Sequence, residues 1–428
     1  MMSAEENQRF TQVGPGTPMG ELLRRYWHPI AAISELKHSR VKPVRLLGED
    51  LVLYRAKNNE FGLIDRQCPH RRADLSYGIV EECGLRCSYH GWMFDHNGKC
   101  LEQPYEDVAR PAAKFKDKTE IKAYPVQTLA GMVFAYLGPL PAPLLPNWEP
   151  FNWKNGFQQI VFADIPCNWF QCQENSCDPV HFEWMHRNWA SRLSNDEAKY
   201  GPKHLELKFE EFEFGHLYMR IREDTDQSSE HWTIGTASLF PNAFFLGDHI
   251  EWRVPVDDYN TLSVTWAFSP TPKENHPFVQ DEIPSWKGPI KDPETGKWIT
   301  SHVMNQDIVA WVGQGVIADR TKEHLGASDK GITMMRKVFR ENLKLVEAGD
   351  GDPKGVVRDP ERNKCIDLPI KNRDLYDSAM TSDEIVLKAQ QLSYHFLTPS
   401  YQFQAGMPKD IERAYRIATG QEHAPPSH

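Results

Sequence analysis

Apolar and polar positions alternate over short stretches from Val44 onwards, which is the pattern of strands with one buried face. The turn residues Gly48-Glu49 and the segment Lys57–Glu60 separate these stretches, so we expect a small antiparallel β-module. A helix is predicted before it, over Pro18–Tyr26, in a lead-in region of residues 1–40. The strands predicted for the module are Val44–Leu47, Leu51–Tyr54 and Phe61–Ile64.

A second series of alternating stretches begins after residue 150 and predicts a large antiparallel sheet. Helices are expected near Met304–Val312 and Ile332–Ala348, and another in the C-terminal third of the chain. Ser328 or Asp329 is expected to cap the second of these helices. The predicted strands are Gly156–Ala163, Leu205–Phe214, Leu217–Ile221, Trp232–Phe240, Ile250–Val256 and Thr261–Phe268.

The segment Gly138–Pro150 lies between the two series, and its prolines favour an extended linker. We therefore predict a lead-in at residues 1–40, a β-domain at 41–140 and a second domain at 151–428, with its C-terminal end unassigned. A length of 428 residues is consistent with two or three domains. The predicted fold class is α+β.

The stretch Trp169–Trp189, WFQCQENSCDPVHFEWMHRNW, places histidines and acids among apolar and aromatic residues. Such groups are costly to bury unless they are paired or bind a metal. His181 and His186 are five residues apart, and Pro179 should bend or break the helix so that they can converge. Asp178 precedes His181 by three residues and can reach its ring. The stretch predicts either two metal ligands with a supporting carboxylate or a bent helix with core histidines.

A second motif has one cysteine and one histidine on each of two loops, Cys68-Pro69-His70 and Cys87-Ser88-Tyr89-His90. Zinc fingers group cysteine with cysteine and histidine with histidine, and a helix follows. Here each loop has one of each and lies among strands. A [2Fe–2S] cluster with one Cys₂ iron and one His₂ iron needs this arrangement. We therefore favour an iron–sulfur cluster over zinc, with the nearby Cys83 and Cys100 as buried thiols.

Composition and charge limit the possible functions of the protein and its cellular compartment. The net charge of −10, without a basic stripe, argues against nucleic-acid binding. The first residues, MMSAEENQRF, do not have the pattern of a secretory signal, and prolines interrupt the most apolar stretch, so no membrane span is expected. Eight cysteines without such a signal predict a reducing compartment, the cytoplasm.

Together, the two motifs resemble the catalytic subunits of Rieske non-heme iron oxygenases, the aromatic-ring-hydroxylating family. The resemblance implies that Cys68 and Cys87 bind one iron of a Rieske cluster and that His70 and His90 bind the other. The segment Glu174–His186 resembles the mononuclear iron helix of this family. His181 and His186 would then bind a mononuclear iron with a downstream acid, for which Asp307 is the best match.

The resemblance also implies an assembly and a fold. Asp178 matches the acid that connects one subunit's iron site to the cluster of its neighbour, so a homotrimer or homohexamer is expected. The catalytic half would be a helix-grip fold, an antiparallel sheet around a long helix. The segment Gln306–Ile332 further resembles the phthalate dioxygenase-like branch of the family.

The expected function is that of a terminal oxygenase, which uses O₂ to hydroxylate an aromatic, carboxylated substrate. Electrons would come from a separate flavin/iron–sulfur reductase or ferredoxin, because no glycine-rich segment fits a dinucleotide loop. Asn175 is a candidate neighbour of the iron, and Glu174 either helps Asp178 or is a buried structural acid. An arginine should pair with a substrate carboxylate. The candidates are Arg192, Arg220, Arg222 and Arg253.

Other functions stay open at this point. O- or N-demethylation and diaryl-ether cleavage use the same iron site as ring hydroxylation. A Rieske protein that only transfers electrons would not need the iron helix or Asp307. A zinc-stabilised protein with a cavity for hydrophobic ligands is a third alternative, since helix-grip folds can bind such molecules.

Overall fold

A computed structural model of the chain describes residues 2–193, 200–377, 379–392 and 404–422. The N-terminal module consists of three small sheets, with strand orders β1-β11-β10, β2-β3-β4-β9 and β5-β6-β7-β8. Its strands are β1 (Trp27–Ala32), β2 (Val41–Leu46), β3 (Glu49–Arg55), β4 (Phe61–Asp65), β5 (Ile79–Val80), β6 (Leu85–Arg86), β7 (Met93–Phe94), β8 (Cys100–Glu102), β9 (Ala123–Tyr124), β10 (Val126–Leu129) and β11 (Met132–Tyr136).

The second half contains one eight-stranded sheet, of order β13-β14-β15-β16-β17-β18-β12-β19. Its neighbouring strands are antiparallel except β12 and β19, which pair in parallel. Its strands are β12 (Gly156–Ile165), β13 (His204–Phe212), β14 (Gly215–Arg222), β15 (Thr236–Leu239), β16 (Ala243–Phe245), β17 (His249–Pro255), β18 (Thr261–Pro270) and β19 (Ser285–Lys287).

Helices precede the module, cover the large sheet and continue to the C-terminal part. The α-helices are α1 (Ala4–Thr11), α2 (Pro18–Leu23), α3 (Glu35–His38), α4 (Pro104–Ala109), α5 (Trp169–Asn175), α6 (His181–Glu183), α7 (Ala190–Leu193), α8 (Glu230–Thr233), α9 (Val303–Gly313), α10 (Lys330–Ala348), α11 (Asp374–Asp377), α12 (Ser382–Leu392) and α13 (Lys409–Ala418). A π-helix covers Trp184–Trp189, and short 3₁₀ turns cover Leu75–Tyr77, Pro111–Ala113, Lys116–Lys118, Glu149–Asn152, Lys273–Asn275, Ala327–Asp329 and Arg362–Lys364.

The long helix α10 packs its apolar side towards the large sheet and the helix α5. Phe339 of α10 contacts Trp169 and Phe170 of α5, with ring centroids 5.6 and 5.4 Å apart. Phe10 of α1 packs against Phe170 at 5.0 Å, so the first helix joins the same core. The predicted α+β class, a β-module followed by an antiparallel sheet around a long helix, is confirmed.

Two local predictions were wrong, and a third was right only in part. The helix expected over Pro18–Tyr26 ends at Leu23, and β1 follows because five of its six buried residues pair with β11. The strand expected over Trp232–Phe240 begins only at Thr236, since Ser229 caps the short helix α8. Asp329 is the N-cap residue of α10, as predicted, but its carboxylate accepts from the N–H of Gly326 and forms no capping hydrogen bond with α10.

The proline-rich connection is extended, as predicted, but it is not free of the rest of the chain. Leu144 N–H donates to the carbonyl of Val357 at 2.9 Å, and Trp148 forms a bridge with Ile366. The domain bounds 1–40, 41–140 and 151–428 stay predictions. Among the described helices, none combines the length and the apolar character needed to cross a membrane.

Candidate metal centres

The iron-helix candidate is broken where the sequence predicts it. Helix α5 ends at Asn175, and the backbone turns through Asp178 and Pro179 before α6 begins at His181. The carbonyl of Asn175 accepts from the N–H of Asp178 at 3.1 Å, because Pro179 has no N–H to offer. One carboxylate oxygen of Asp178 accepts from Val180 N–H at 2.9 Å, which stabilises the turn.

A π-helix then follows, which the sequence analysis missed. It spans Trp184–Trp189 and contains His186. A π-helix repeats its contacts at five residues, so it brings side chains five apart onto one side. The rings of His181 and His186 lie with centroids 5.1 Å apart. The five-residue spacing was the signal in the sequence, since it fits a π-turn better than an α-helix.

Asp307 completes a group of three potential ligands. Its Oδ1 lies 3.7 Å from His181 Nε2 and 3.4 Å from His186 Nε2. One ligand atom from each of the three residues lies within 4.8 Å of the others, in the part of the chain that the structure describes. Nε2 of His186 is buried without a hydrogen-bond partner. Two imidazoles and one carboxylate fit a mononuclear iron(II) with open coordination positions.

Gln306 fixes the orientation of one candidate ligand. Its Nε2 donates to the carbonyl of Thr300 at 2.9 Å, so its Oε1 is the end that faces His186. That oxygen lies 3.0 Å from His186 Nδ1, which must therefore carry the proton. The lone pair of Nε2 then points at the candidate metal position. Sequence reasoning noted Gln306 only as part of a family motif and assigned it no role.

Asn175 and Asp178 also lie beside the three residues, as predicted. Asn175 Nδ2 donates to Asp307 Oδ1 at 3.2 Å. Asp178 Oδ2 is 3.7 Å from His181 Nδ1, and 28% of the Asp178 side chain is exposed. Burial alone would raise the pKa of Asp178, but the neighbouring His181 keeps the pKa of this carboxyl below its usual value. Asp178 is thus ionised and accessible on one side.

Glu174 points away from this group, so the interpretation as a helper of Asp178 is not supported. Its carboxylate receives Arg320 Nη2 at 2.7 Å and Arg336 Nε at 2.8 Å. Burial alone would raise the pKa of Glu174, but these two guanidinium groups hold it below the usual value. Arg336 also pairs with Glu323. Glu174 is therefore the buried structural acid, which connects α5 to α10.

Two further contacts hold the π-helix on the sheet. The carboxylate of Glu183, between the two histidines, accepts from the backbone N–H and from Nδ1 of His204, both at 2.8 Å. The side-chain oxygen of Asn188 accepts from Gly201 N–H at 2.8 Å. These contacts join the π-helix to the start of β13 and to the segment before it.

The four cysteine and histidine candidates lie on two loops of the N-terminal module. Cys68 and Cys87 are buried, with 1% and 3% exposure, and burial raises the pKa of the Cys68 thiol to about 12. The rings of His70 and His90 lie 4.5 Å apart, and His90 is exposed. Two buried thiols and two outward histidines fit a [2Fe–2S] cluster with a His₂ iron towards the surface.

The residues that flank these loops have separate roles. Arg86 pairs with Glu81 and Glu102 and donates to the carbonyl of Gly91 at 2.8 Å, so it holds the second loop. The guanidinium of Arg71 lies 5.6 Å from the centre of the Tyr89 ring at the surface. Cys100 is buried as predicted, but Cys83 is exposed because it lies in the turn between β5 and β6.

A Cys₂His₂ module followed by a two-histidine, one-carboxylate site defines the class of Rieske oxygenases. Comparisons with known proteins agree. Residues 26–125 match the Rieske [2Fe-2S] domain, and residues 251–360 match the family described as LigXa C-terminal domain like.

Two relatives and one solved structure extend this result. The chain is 57% identical to the 5,5'-dehydrodivanillate O-demethylase oxygenase subunit of Sphingobium sp. (strain NBRC 103272 / SYK-6), over 96% of this chain and 95% of that protein. It is 31% identical to the phthalate 4,5-dioxygenase oxygenase subunit of Pseudomonas putida, over 82% and 88%. The terminal oxygenase of carbazole 1,9a-dioxygenase from Nocardioides aromaticivorans IC177 shares the fold, with a TM-score of 0.53 at 20% identity, over 81% and 98%.

The chain belongs to the Rieske non-heme iron oxygenases and is a catalytic, terminal oxygenase subunit. Its cofactors are a Rieske [2Fe–2S] cluster and a mononuclear non-heme iron. The family prediction, the enzyme class and both cofactors are therefore confirmed. The assignment of individual residues as ligands stays a prediction that the geometry supports.

Replacement of Gln306 by leucine should weaken the mononuclear iron site, because His186 loses the acceptor that fixes its ring. We expect iron to bind about 10–100-fold more weakly, as for other partners of metal ligands. Iron retention in a chelator competition measures this, while the visible spectrum of the cluster should be unchanged. Gln314→Leu, at the exposed end of the same helix, is the control. Equal iron retention in both variants would contradict the assigned role.

Glu174→Gln should destabilise the catalytic half by about 3–5 kcal/mol, since it leaves buried arginines without their acid. Urea unfolding at neutral pH measures the loss, and Glu341→Gln on the exposed side of α10 should change stability by less than about 0.5 kcal/mol. The folded-state pKa of Glu174 lies below 4.5. Its contribution is thus present above pH 4.5 and is lost as the pH falls through the folded-state pKa. The difference between wild type and variant should shrink in acid; a constant difference would contradict this account.

Proposed function

We propose that this oxygenase removes methyl groups from methoxylated aromatic carboxylates, by O-demethylation. The observation that carries the proposal is the 57% identity, over nearly the whole chain, with a 5,5'-dehydrodivanillate O-demethylase oxygenase subunit. Ring hydroxylation was the first expectation from the sequence and demethylation its alternative. We favour demethylation, because the 31% identity to a phthalate dioxygenase subunit is much weaker support for ring hydroxylation.

The proposed reaction converts an aryl methyl ether, O₂, two electrons and two protons to a phenol, formaldehyde and water. When bound, the iron supplies the activation of O₂ that lets one oxygen atom enter a C–H bond of the methyl group. His181, His186 and Asp307 would hold that iron. The resulting hemiacetal releases formaldehyde, and the phenol oxygen comes from the substrate.

The protein's own residues would prepare the site for this chemistry. Asn175 donates to Asp307 and so limits how that carboxylate can turn. The Gln306 contact keeps the proton of His186 on Nδ1, away from the metal position. The ring of Phe182, with its centroid 4.4 Å from that of His181, adds an apolar surface against which an aromatic substrate can stack.

The four candidate arginines differ in their partners. Arg253 is buried, pairs with Glu251 and lies over Trp311 at 4.6 Å. Arg222 pairs with Asp224, and Arg192 lies over Tyr200. Arg220 lies over Phe182 at 4.9 Å and forms no ion pair within the described ranges. Arg192 also has no ion pair among the described residues, but only Arg220 lies over a ring that adjoins His181, so Arg220 is our candidate for the substrate carboxylate.

Electrons would reach the chain from a separate reductase or ferredoxin, entering at the exposed edge of the cluster near His90. Asp178, which is partly exposed beside His181, would receive the cluster of a neighbouring subunit. A homotrimer, alone or paired into a homohexamer, is therefore our proposal for the assembly. The cytoplasmic location is likewise proposed from the sequence.

Single-turnover product analysis tests the proposed reaction. The iron-loaded, chemically reduced protein is mixed with O₂ and 5,5'-dehydrodivanillate, and products are identified by mass spectrometry. We expect the mono-demethylated phenol and formaldehyde, with no ¹⁸O from ¹⁸O₂ in the phenol. His181→Ala, with its cluster spectrum intact, should give no product. A diol containing both oxygen atoms of O₂ would show ring dioxygenation instead. If neither product forms with this or another methoxybenzoate while both metals are present, the proposed substrate class is wrong.

Asp178→Asn should slow turnover by about 10–100-fold or more while both metals stay bound, because one of the two acceptor oxygens becomes an NH₂ donor and the negative charge is lost. Metal analysis and the rate of cluster oxidation after mixing with O₂ and substrate measure the effect. Asp350→Asn, at the exposed end of α10, is the control. Normal cluster oxidation in the metal-replete Asp178 variant would exclude this role.

A further inference from the structure

Lys371 is a lysine buried within the catalytic half, with 4% of its surface exposed. Its ammonium group donates to the carbonyl of Gly235 at 3.2 Å and to the hydroxyl of Thr236 at 2.5 Å. It forms no ion pair with a carboxylate of any described residue. A buried ammonium group without a counter-ion is unfavourable by several kcal/mol. Lys371 thus stands apart from the other buried charges near the iron site.

A second cation without an acid lies close to it. Among the described residues, Arg220 contacts the carbonyl of Pro179 at 3.5 Å and the ring of Phe182, and its Nε is buried without a hydrogen-bond partner. Burial and the charge of Arg220 lower the pKa of Lys371 to about 7. Burial, followed by the charge of Lys371, lowers the pKa of His231 to about 2. The charges of Arg220 and Lys371 thus act on neighbouring basic groups.

The acids and remaining bases of this region already have partners. Asp248 is 2.6 Å from His249 Nδ1, and Glu230 accepts from Asn372 N–H at 2.5 Å. Arg222 pairs with Asp224, and His204 with Glu183. Among the described residues Glu230 has no ion pair, so two cations, Arg220 and Lys371, face one acid, and positive charge is in excess. Such an excess in a partly desolvated place favours the binding of an anion.

The region lies on the side of the sheet that faces the iron helix. Thr236, which binds Lys371, is paired in register with Tyr218 on the neighbouring strand. Arg220 is two residues beyond Tyr218, so its side chain is on the same face of the sheet. Arg220 contacts the ring of Phe182, which is adjacent to His181. One aromatic ring therefore separates Arg220 from the candidate ligand His181, and Lys371 binds the neighbouring strand on the same face of the sheet.

We propose that Lys371, together with Arg220, forms an anion subsite that binds a carboxylate of the aromatic substrate and holds its methoxy group towards the iron. This inference rests on the proposed function, and it adds a residue from the C-terminal part of the chain. A carboxylate placed here supplies the counter-ion that the buried ammonium group lacks. The substrate itself thus neutralises the site, so uncharged analogues should bind poorly.

Binding of a carboxylate should also take up a proton. Lys371 titrates near pH 7 in the free enzyme, and an adjacent anion raises its pKa. Below about pH 6 the lysine is already protonated, and binding takes up no proton. Above pH 7 binding must protonate it, so affinity falls as the pH rises until the pKa of the complex is passed.

Calorimetry with 5,5'-dehydrodivanillate tests the inference on the wild-type oxygenase. Titrations at pH 8 in buffers of different ionisation enthalpy give the number of protons taken up, which we expect to be a large fraction of one. At pH 6 the uptake should vanish. No uptake at pH 8, with the substrate bound, would overturn the proposal without the use of any variant.

Substitutions of Lys371 test whether this residue takes up the proton. Lys371→Met and Lys371→Gln should abolish the proton uptake and raise KM for the acid about tenfold or more. KM for the dimethyl ester of the same compound should change less than threefold. Lys354→Met is the matched control, since Lys354 is partly buried but pairs with Glu211 at 3.6 Å. Its KM values and proton uptake should equal those of the wild type.

The outcomes separate this inference from the proposed function. If wild type demethylates the acid but the Lys371 variants keep its KM and proton uptake, the subsite is wrong and the function stands. If the acid and its ester are bound equally by wild type, the subsite is also wrong. If wild type with both metals bound takes up a proton on binding methoxylated aromatic carboxylates but demethylates none of them, the subsite stands and the proposed reaction is wrong.

Discussion

The structure depends on how two histidines five residues apart, His181 and His186, are brought to one candidate metal position. In an α-helix, residues five apart do not face the same side, whereas a π-turn aligns them. A π-helix is a rare and poorly favoured conformation, so its surroundings must stabilise it. Here Glu183 and Asn188 bind backbone N–H groups of the following segment. Glu174, on the preceding helix, is fixed to α10 by two arginines.

The candidate metal site also brings many charged side chains beside the sheet, where they are buried. Each charged side chain in a low-dielectric region needs a partner, and most of them have one. His249 lies between Asp248 and Glu251, and Glu251 in turn pairs with Arg253. The resulting chain of alternating charges leads towards α9, which supplies Asp307. Arg220 and Lys371 depart from this rule, and for that reason they point to a ligand rather than to a structural role.

The sequence was sufficient for the parts of the site that rest on local chemistry. Cysteine–histidine spacing, the effect of Pro179 and the closeness of Asp178 to His181 follow from residue types and short distances along the chain. Gln306 and Lys371 could not be assigned in this way, since their partners lie 120 and 135 residues away in sequence. The strand β1 was missed because its pairing with β11 overrides the helical preference of the preceding residues.

The two candidate metal centres differ in solvent exposure, and this difference affects how electrons can pass between them. The three candidate ligands of the mononuclear iron are largely enclosed, with side-chain exposures of about one tenth. The histidine edge of the cluster site is open instead, and Tyr89 beside it is 57% exposed. An exposed aromatic and imidazole surface is well suited to contact another protein, while an enclosed iron must receive electrons through its ligands and their partners. At 28%, the side chain of Asp178 is more exposed than those of the three candidate ligands. An electron path into the iron site that arrives from outside the subunit would therefore meet Asp178 before these ligands.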